Sequence, residues 1–195
     1  MIMKTIVWDV DDVLNDFMLL WFERYWKSGH TDCLVEYISL KDNPPHKLLG
    51  ITLKEYQDSI DSFRRTDVYK EMHPLPEVMR WFKGEGHKYR HIALSAVPLN
   101  AAHYSSCWVL EQYGMWIRSF SFVPSKRNGE NIPKYDETKN DYLKWLGKGD
   151  IIIDDNEINI KSANEIGVKG ILFPRPWNKC EETIQNVLES IKKND

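Results

Sequence analysis

The stretch Ile6-Val7-Trp8-Asp9-Val10-Asp11-Asp12 begins as an apolar run and ends in a row of carboxylates. The same pattern returns far along the chain as Ile151-Ile152-Ile153-Asp154-Asp155. Short runs that are apolar on both faces are typical of strands buried inside a parallel sheet. Because ligands of such sheets bind beyond the carboxyl ends of the strands, both acidic pairs are predicted to lie in one functional crevice.

Further apolar runs alternate with segments of helical periodicity. The remaining candidate strands cover residues 91–95, 119–123 and 170–173, and the candidate helices cover 99–113, 136–146 and 156–166. Strands that alternate with helices favour a parallel sheet covered on both faces. The predicted fold class is therefore α/β, with a Rossmann-like parallel sheet and helices on both of its faces.

Residues 16–74 interrupt this alternation, since no second strand follows the first. Helical periodicity covers 16–27, and Thr52 with Glu55 forms a capping-box pattern at the start of a helix predicted to run to about residue 65. We interpret 16–74 as a small helical cap inserted after the first strand. The predicted α/β core then comprises residues 1–15 and 75–195.

The composition excludes several classes of protein. The 195 residues carry a net charge of −3 and three cysteines without the spacing of a zinc or redox site. No window approaches the ~20 apolar residues of a membrane span, and the N-terminal apolar run is too short for a signal peptide. We expect a cytoplasmic protein that binds neither a membrane nor a nucleic-acid polymer; a homodimer is left open. The eight Trp side chains either pack in the core or line a pocket for a flat ligand.

The four acids Asp9, Asp11, Asp154 and Asp155 repel one another if they converge, and burial increases that cost. A divalent cation relieves both effects, and oxygen ligands with retained waters suit Mg²⁺. The sequence therefore predicts a magnesium site. The alternative is that these acids merely end strands and cap helices.

Two further side chains are candidate ligands of a phosphate group. Ser95 ends a predicted strand, and its hydroxyl can donate to a phosphate oxygen. Lys139 begins the helix that leads to Asp154, where its ammonium adds to the positive end of the helix. Lys126 and Lys144 are alternatives, and most of these lysines are expected to be ordinary surface residues.

These residues, in this order, resemble the four motifs of the haloacid dehalogenase superfamily. Asp9-Val10-Asp11-Asp12-Val13 resembles the first motif, Ser95 the second, Lys139 the third and Asp154-Asp155 the fourth. The resemblance covers residues 1–15 and 75–175.

A closer resemblance is to the 5'(3')-deoxyribonucleotidases of the 5'-nucleotidase branch, carried by residues 9–17, 69–76 and 176–178. The chain departs from that pattern in three places. Asp12 stands where these enzymes usually have Gly, Leu94 stands where Thr is common, and residues 128–138 look like extra sequence.

The resemblance implies a covalent mechanism. Asp9 would attack phosphorus as the nucleophile, and Asp11 would serve as general acid and then general base. The carboxylates of Asp9 and Asp155, the backbone carbonyl of Asp11, and Asp154 either directly or through water would hold Mg²⁺. Ser95 and Lys139 would bind the phosphoryl oxygens.

In the cap, Phe17 lies nearest to Asp9 and is the candidate for stacking on a nucleotide base, whereas Trp21, Phe22 and Trp26 are expected to pack in the core. The predicted function is Mg²⁺-dependent hydrolysis of nucleoside or deoxynucleoside monophosphates. A phosphatase for another small phosphorylated metabolite and a non-catalytic relative that binds phospho-ligands are the alternatives.

Overall fold

The computed structural model describes residues 3–127 and 130–192. Within them lies one parallel sheet in the order β3-β2-β1-β4-β5. Its strands are β1 (Thr5–Trp8), β2 (Arg90–Val97), β3 (Ile117–Pro124), β4 (Ile151–Asp154) and β5 (Lys169–Leu172). The predicted α/β fold class is confirmed. Trp8 pairs with Ala93 on one side and with Ile153 on the other, so the two acidic stretches end neighbouring strands.

Alternate residues of the strands enter two separate apolar clusters, one on each face of the sheet. Ile6 and Trp8 belong to one cluster and Val7 to the other, because successive side chains of a strand point to opposite faces. Helices α5 (Pro76–Glu85), α6 (Ala102–Tyr113) and α9 (Ile184–Lys192) contribute to the first cluster. Helices α7 (Lys139–Leu146) and α8 (Glu157–Glu165) contribute to the second.

The segment between β1 and α5 is helical wherever it is regular. It contains α1 (Phe17–Leu20), a π-helical stretch (Trp21–Trp26), α2 (Lys27–Gly29), α3 (Leu53–Phe63) and α4 (Asp67–Lys70). Its two ends meet, since Asn15 and Pro74 form an antiparallel bridge and Leu75 N donates to Leu14 O at 3.0 Å. The capping box of Thr52 and Glu55 forms as predicted.

The aromatic side chains of this segment do not form a core of their own. Trp21, Phe22 and Phe63 are fully buried and belong to the same apolar cluster as Trp8 of the sheet. Burial of large rings is a major contribution to stability, so this segment and the sheet stabilise each other.

Several observed strand boundaries differ from the expected ones: β2 and β3 extend beyond the apolar runs 91–95 and 119–123, whereas β1 and β5 end earlier than the hydrophobic pattern suggests. The apolar pattern that begins at Ile6 includes Val10, but β1 ends at Trp8. Val10 N donates to Asp9 Oδ1 at 2.7 Å, and Asp12 adopts a left-handed conformation with φ of 64°. Of the stretch predicted as extra sequence, residues 128 and 129 lie outside the described residues.

Within the described ranges, no helix has the length and apolar character needed to cross a membrane. Cys33, Cys107 and Cys180 are all free thiols.

Candidate active site

The two acidic stretches meet at the carboxyl ends of β1 and β4. Asp9 follows β1 directly, Asp154 is the last residue of β4 and Asp155 follows it. One carboxylate oxygen of each of these three residues lies within 4.8 Å of the others. Asp9 N also donates to Ile153 O at 2.9 Å, which fixes the two loops relative to each other. The predicted convergence of acids is thus present in the structure.

Lys139 supplies the positive charge at this cluster. Its Nζ lies 2.7 Å from Asp9 Oδ1 and 2.7 Å from Asp154 Oδ2, and its side chain is only 3% exposed. Lys139 is the first residue of α7, where Thr138 forms a capping box with Asp141. The helix start therefore directs this ammonium into the crevice. The two alternative lysines lie elsewhere: Lys144 is exposed, and Lys126 is exposed and pairs with Glu137.

The cluster carries more negative than positive charge. Burial raises the pKa of Asp9 well above its usual value; Lys139 opposes the shift, while Asp154 and Asp155 add to it. Burial and the neighbouring Asp154 raise the pKa of Asp155 to about 6. Burial opposes the charge on Lys139, yet attraction to Asp154 and Asp9 raises its pKa above the usual value. With one ammonium among three carboxylates, the cluster lacks positive charge. A divalent cation that prefers oxygen ligands would supply it.

Asp154 differs from the other two carboxylates. It is fully buried and does not line the cleft, whereas Asp9 and Asp155 do. Its Oδ2 accepts from Lys139, and its Oδ1 accepts from Asn156 N at 2.9 Å and Asn159 Nδ2 at 3.1 Å. Asp154 thus orients Lys139 and the start of α8 from behind the two carboxylates that face the cleft.

Asp11 is held by an arginine that the sequence did not indicate. Arg64 Nη2 lies 2.7 Å from Asp11 Oδ2, and the arginine side chain is 4% exposed. Arg64 follows α3, so this ion pair joins α3 to the turn that directly follows β1. Asp11 lines the cleft, and its Oδ1 is buried without a hydrogen-bond partner.

A second ion pair connects the segment after β1 to the residues that follow β3. Arg127 Nε and Nη2 each lie 2.7 Å from an oxygen of Asp61, which is a bidentate geometry. Asp61 Oδ1 also accepts from Arg64 Nη1 at 3.4 Å. From sequence alone, Asp61 and Arg64 look like an ordinary i,i+3 pair on a helix surface, which is why their role was missed.

Phe17 lies at the cleft, but its ring is not open to a ligand here. It is 2% exposed, and the Arg64 guanidinium carbon lies 4.3 Å from the ring centroid. The rings of Phe63 and Tyr69 contact it on other sides, at centroid distances of 5.4 and 6.0 Å. Stacking of a base on Phe17 would require Arg64 to move. Trp21, Phe22 and Trp26 are buried, as expected. Ser95 lines the cleft and is 1% exposed.

The loop of residues 174–180, the C-terminal loop, contacts the residues that follow β1 and those that follow β4. Arg175 Nη1 lies 2.7 Å from Asp16 Oδ1, and its Nε donates to Asp12 O at 2.6 Å. Trp177 Nε1 donates to Asp155 Oδ2 at 2.6 Å, and Asn178 Nδ2 donates to Asp155 O at 2.8 Å. From the sequence, residues 176–178 were only part of a resemblance, and no role was predicted for them.

Together these elements enclose a cleft of about 750 Å³. Its inner end carries Asp9, Lys139 and Asp155, and its outer end is lined by polar residues of the segment after β1, which include Lys41, Asn43 and Gln57. Pockets of this volume accommodate ligands the size of a phosphorylated metabolite.

Comparison with known proteins places the fold. No protein-family model and no curated protein sequence matches the chain. Solved structures do match. A haloacid dehalogenase-like hydrolase from Streptococcus pneumoniae is 12% identical, with a TM-score of 0.63 over 99% of each chain. The chain has the haloacid dehalogenase fold.

Two further structures with this fold bear names from phosphate chemistry. A candidate phosphoglycolate phosphatase from Lactobacillus delbrueckii subsp. bulgaricus is 16% identical, with a TM-score of 0.59 over 98% of this chain and 99% of its own. A candidate β-phosphoglucomutase from Thermotoga maritima is 14% identical, also with a TM-score of 0.59 and the same coverage.

At these identities the comparisons establish the haloacid dehalogenase fold alone, and none of these three structures is named as a nucleotidase. Because one fold hosts many activities, the activity has to be argued from the residues of the site.

Proposed function

We propose that the chain is a Mg²⁺-dependent phosphomonoester hydrolase that acts through an aspartyl-phosphate on Asp9. The observation that carries the proposal is the buried cluster of Asp9, Asp155 and Lys139 at the inner end of the cleft, with Asp11 two residues beyond the nucleophile. A carboxylate next to a cation site and a lysine can accept a phosphoryl group, because the surrounding positive charge offsets the repulsion between two anions.

The two carboxylate oxygens of Asp9 have different roles in the proposed reaction. Oδ1 accepts from Val10 N and lies 2.7 Å from Lys139 Nζ, so Oδ2 is the oxygen that attacks phosphorus. An Asp9–phosphorus bond forms as the ester P–O bond breaks, and Asp11 gives its proton to the departing oxygen. Water then attacks phosphorus, Asp11 takes the proton of that water, and phosphate and the Asp9 carboxylate are released.

The residues that would hold Mg²⁺ are Asp9 and Asp155 through their carboxylates and Asp11 through its backbone carbonyl, with Asp154 in support. The bound ion supplies charge neutralisation to the phosphoryl oxygens. Lys139 and the Ser95 hydroxyl bind the same oxygens from the protein side, and the burial of Lys139 excludes water from its ammonium.

Residues 16–74 serve as the cap of this site. Arg64, Tyr56 and Asn43 from this segment line the cleft together with Asp9 and Asp155. The segment leaves and re-enters the core at one place, the bridge between Asn15 and Pro74, and its position over the cleft would shield the aspartyl-phosphate from water.

Nucleoside and deoxynucleoside monophosphates are the substrate class we propose, on the resemblance of residues 9–17 and 69–76 and on a cleft of about 750 Å³. A specific observation favours a second class. Since Arg64 covers the Phe17 ring and the outer cleft carries Lys41, Asp42 and Gln57, a small polar substrate such as a sugar phosphate also suits the site.

Release of phosphate from a panel of nucleotides, sugar phosphates and p-nitrophenyl phosphate tests the proposal. We expect turnover that requires Mg²⁺ and that falls by about 10³-fold or more in Asp9→Asn, because the amide cannot form the covalent intermediate. Equal turnover by Asp9→Asn would contradict the assigned nucleophile. Preference for sugar phosphates over every nucleotide would select the second substrate class.

A further inference from the structure

The indole of Trp177 contacts a carboxylate of the proposed cation site. Trp177 Nε1 donates to Asp155 Oδ2 at 2.6 Å, a short distance that is typical of a strong hydrogen bond to an ionised oxygen. Asp155 is 6% exposed and lines the cleft together with Trp177. The two residues are 22 positions apart in the chain, so the contact depends on how the C-terminal loop folds back over β4.

The C-terminal loop fixes this indole before any ligand binds. Asn178 Nδ2 donates to Asp155 O and to Phe173 O, each at 2.8 Å. Its Oδ1 accepts from Arg175 N at 3.3 Å and from Cys180 N at 3.1 Å. A side chain that bonds backbone groups on both sides of Trp177 holds the backbone of that residue in one conformation.

Tyr37 of the cap also packs against the indole. The two rings are perpendicular, with their centroids 6.2 Å apart, which is a favourable edge-to-face arrangement. The indole N–H is therefore directed at Asp155 by contacts on several sides rather than by the hydrogen bond alone.

The hydrogen bond changes how Asp155 can bind a cation. With Oδ2 engaged by the indole, Oδ1 is the oxygen that Asp155 offers to the cleft. One-oxygen binding suits Mg²⁺, which takes six ligands in strict geometry and keeps several waters. Ca²⁺ accepts six to eight oxygens and often binds both oxygens of one carboxylate.

We propose that Trp177 is a positioning residue that makes Asp155 a one-oxygen ligand and thereby favours Mg²⁺ over Ca²⁺ in this site. The inference rests on the proposed function only in that the carboxylate cluster binds a divalent cation. Residues that orient metal ligands are commonly worth about 10–100-fold in metal affinity. Trp177 would thus affect the selectivity between Mg²⁺ and Ca²⁺ as well as the affinity for the bound ion.

Isothermal titration of the purified chain with MgCl₂ and, separately, with CaCl₂ tests the proposal. Trp177→Phe keeps an aromatic ring and removes the N–H donor. Trp145→Phe is the matched control, because Trp145 is exposed on α7. We expect Trp177→Phe to weaken Mg²⁺ binding by about 10-fold, and to weaken Ca²⁺ binding less or strengthen it. The Mg²⁺/Ca²⁺ affinity ratio should therefore fall in Trp177→Phe and stay at the wild-type value in Trp145→Phe.

A general distortion of the site would weaken both ions by the same factor, and that result, like unchanged affinities, would overturn the proposal. If the wild-type chain binds neither ion, the proposed function fails together with this inference. If wild type binds Mg²⁺ and the affinity ratio is unchanged in Trp177→Phe, this inference fails and the proposed function stands.

A measurement on the wild-type chain does not depend on the variant folding. The indole N–H resonance of Trp177, assigned by selective labelling, should shift on saturation with MgCl₂ and remain in the range of a hydrogen-bonded proton. With CaCl₂ it should move toward the position of an unbonded indole, as Oδ2 turns to the ion. Identical spectra with both ions would contradict the proposed selection.

Discussion

The two walls of the cleft are built in different ways. The core wall consists of residues that directly follow β1 and β4, and backbone hydrogen bonds such as Asp9 N to Ile153 O hold it in place. The cap wall reaches the core through long charged side chains, with Arg64 on Asp11 and Asp61 on Arg127. Sheet register fixes the first wall, whereas the second is anchored by the apolar cluster that Trp21 and Phe22 share with Trp8 and contacts the core at the cleft through ion pairs. The wall that the sheet fixes carries Asp9, the proposed nucleophile, and the cap wall contacts Asp11, the proposed acid–base residue.

The largest expected effect comes from the core wall. Lys139→Met removes the ammonium that lies between Asp9 and Asp154 and leaves two buried carboxylates without their partner. Breaking a buried pair in this way costs about 3–5 kcal/mol of the free energy of unfolding. Urea unfolding at pH 8 without divalent ions would measure the loss. Lys144→Met, exposed on the same helix, is the control, and equal stability of the two variants would contradict the buried pairing.

The second expected effect is a loss of stability at low pH that arises from the buried imidazole of His91. Trp8 Nε1 donates to its Nδ1 at 3.0 Å, and its Nε2 lies 2.7 Å from Gly86 O. Burial lowers the pKa of His91 to about 4, against the opposing hydrogen bond to Gly86 O. Since the unfolded chain takes up a proton near pH 6.5 and the folded chain does not, stability present above that pH is lost as pH falls toward 4. The loss attributable to His91 is about 3 kcal/mol.

Urea unfolding between pH 7 and pH 4 would measure this contribution as the difference between wild type and His91→Gln. The exposed His87, changed to Gln, is the control and should retain the wild-type slope. Parallel pH curves for wild type and His91→Gln would show that the buried imidazole takes up its proton as readily as an unfolded one.

On the cap wall, Arg64→Met should affect activity more than stability. The change removes the side chain that holds Asp11 Oδ2 at 2.7 Å, and a misplaced catalytic group costs up to about 100-fold in rate. We expect kcat/KM for a phosphomonoester to fall by about 10–100-fold. Arg127→Gln breaks the other ion pair and leaves the Arg64–Asp11 contact in place, so it separates loss of cap contact from loss of Asp11 orientation. Equal losses in the two variants would argue against orientation of Asp11 by Arg64.

The smallest expected effect lies at the start of α3, which carries Asp61. Thr52→Ala removes the side chain that accepts from Glu55 N, and loss of such a cap costs about 1 kcal/mol. Thermal unfolding would report a modest decrease in midpoint, with phosphatase activity close to wild type. A large loss of activity would instead show that the position of α3 directly controls the site.

The same contrast between walls explains what the sequence could predict. Acids that follow β-branched runs, and a lysine at a helix start, are local patterns whose position follows from sheet topology. The sheet, its buried strands, and the convergence of Asp9, Asp154, Asp155 and Lys139 were therefore accessible. Their assigned roles in catalysis and metal binding stay predictions.

The remaining partners depend on contacts between distant segments. Arg64 is 53 residues from Asp11, and Arg175 is 163 residues from Asp12. No periodicity relates such pairs, because only the packed tertiary structure brings them together. Strand ends were also misplaced, since the turn after Trp8 begins within an apolar pattern that continues to Val10.

The left-handed backbone at Asp12 bears on which substitutions homologous proteins can tolerate there. A φ of 64° is sterically costly for most side chains and free of cost for glycine, and asparagine and aspartate adopt it more readily than other residues. Asp12 recovers part of the cost because its Oδ1 accepts from Met18 N at 3.0 Å. Substitution at this position should therefore be tolerated for glycine and short polar residues and disfavoured for valine, isoleucine and threonine, which fits an aspartate at a place where the enzymes that the sequence resembles usually have glycine.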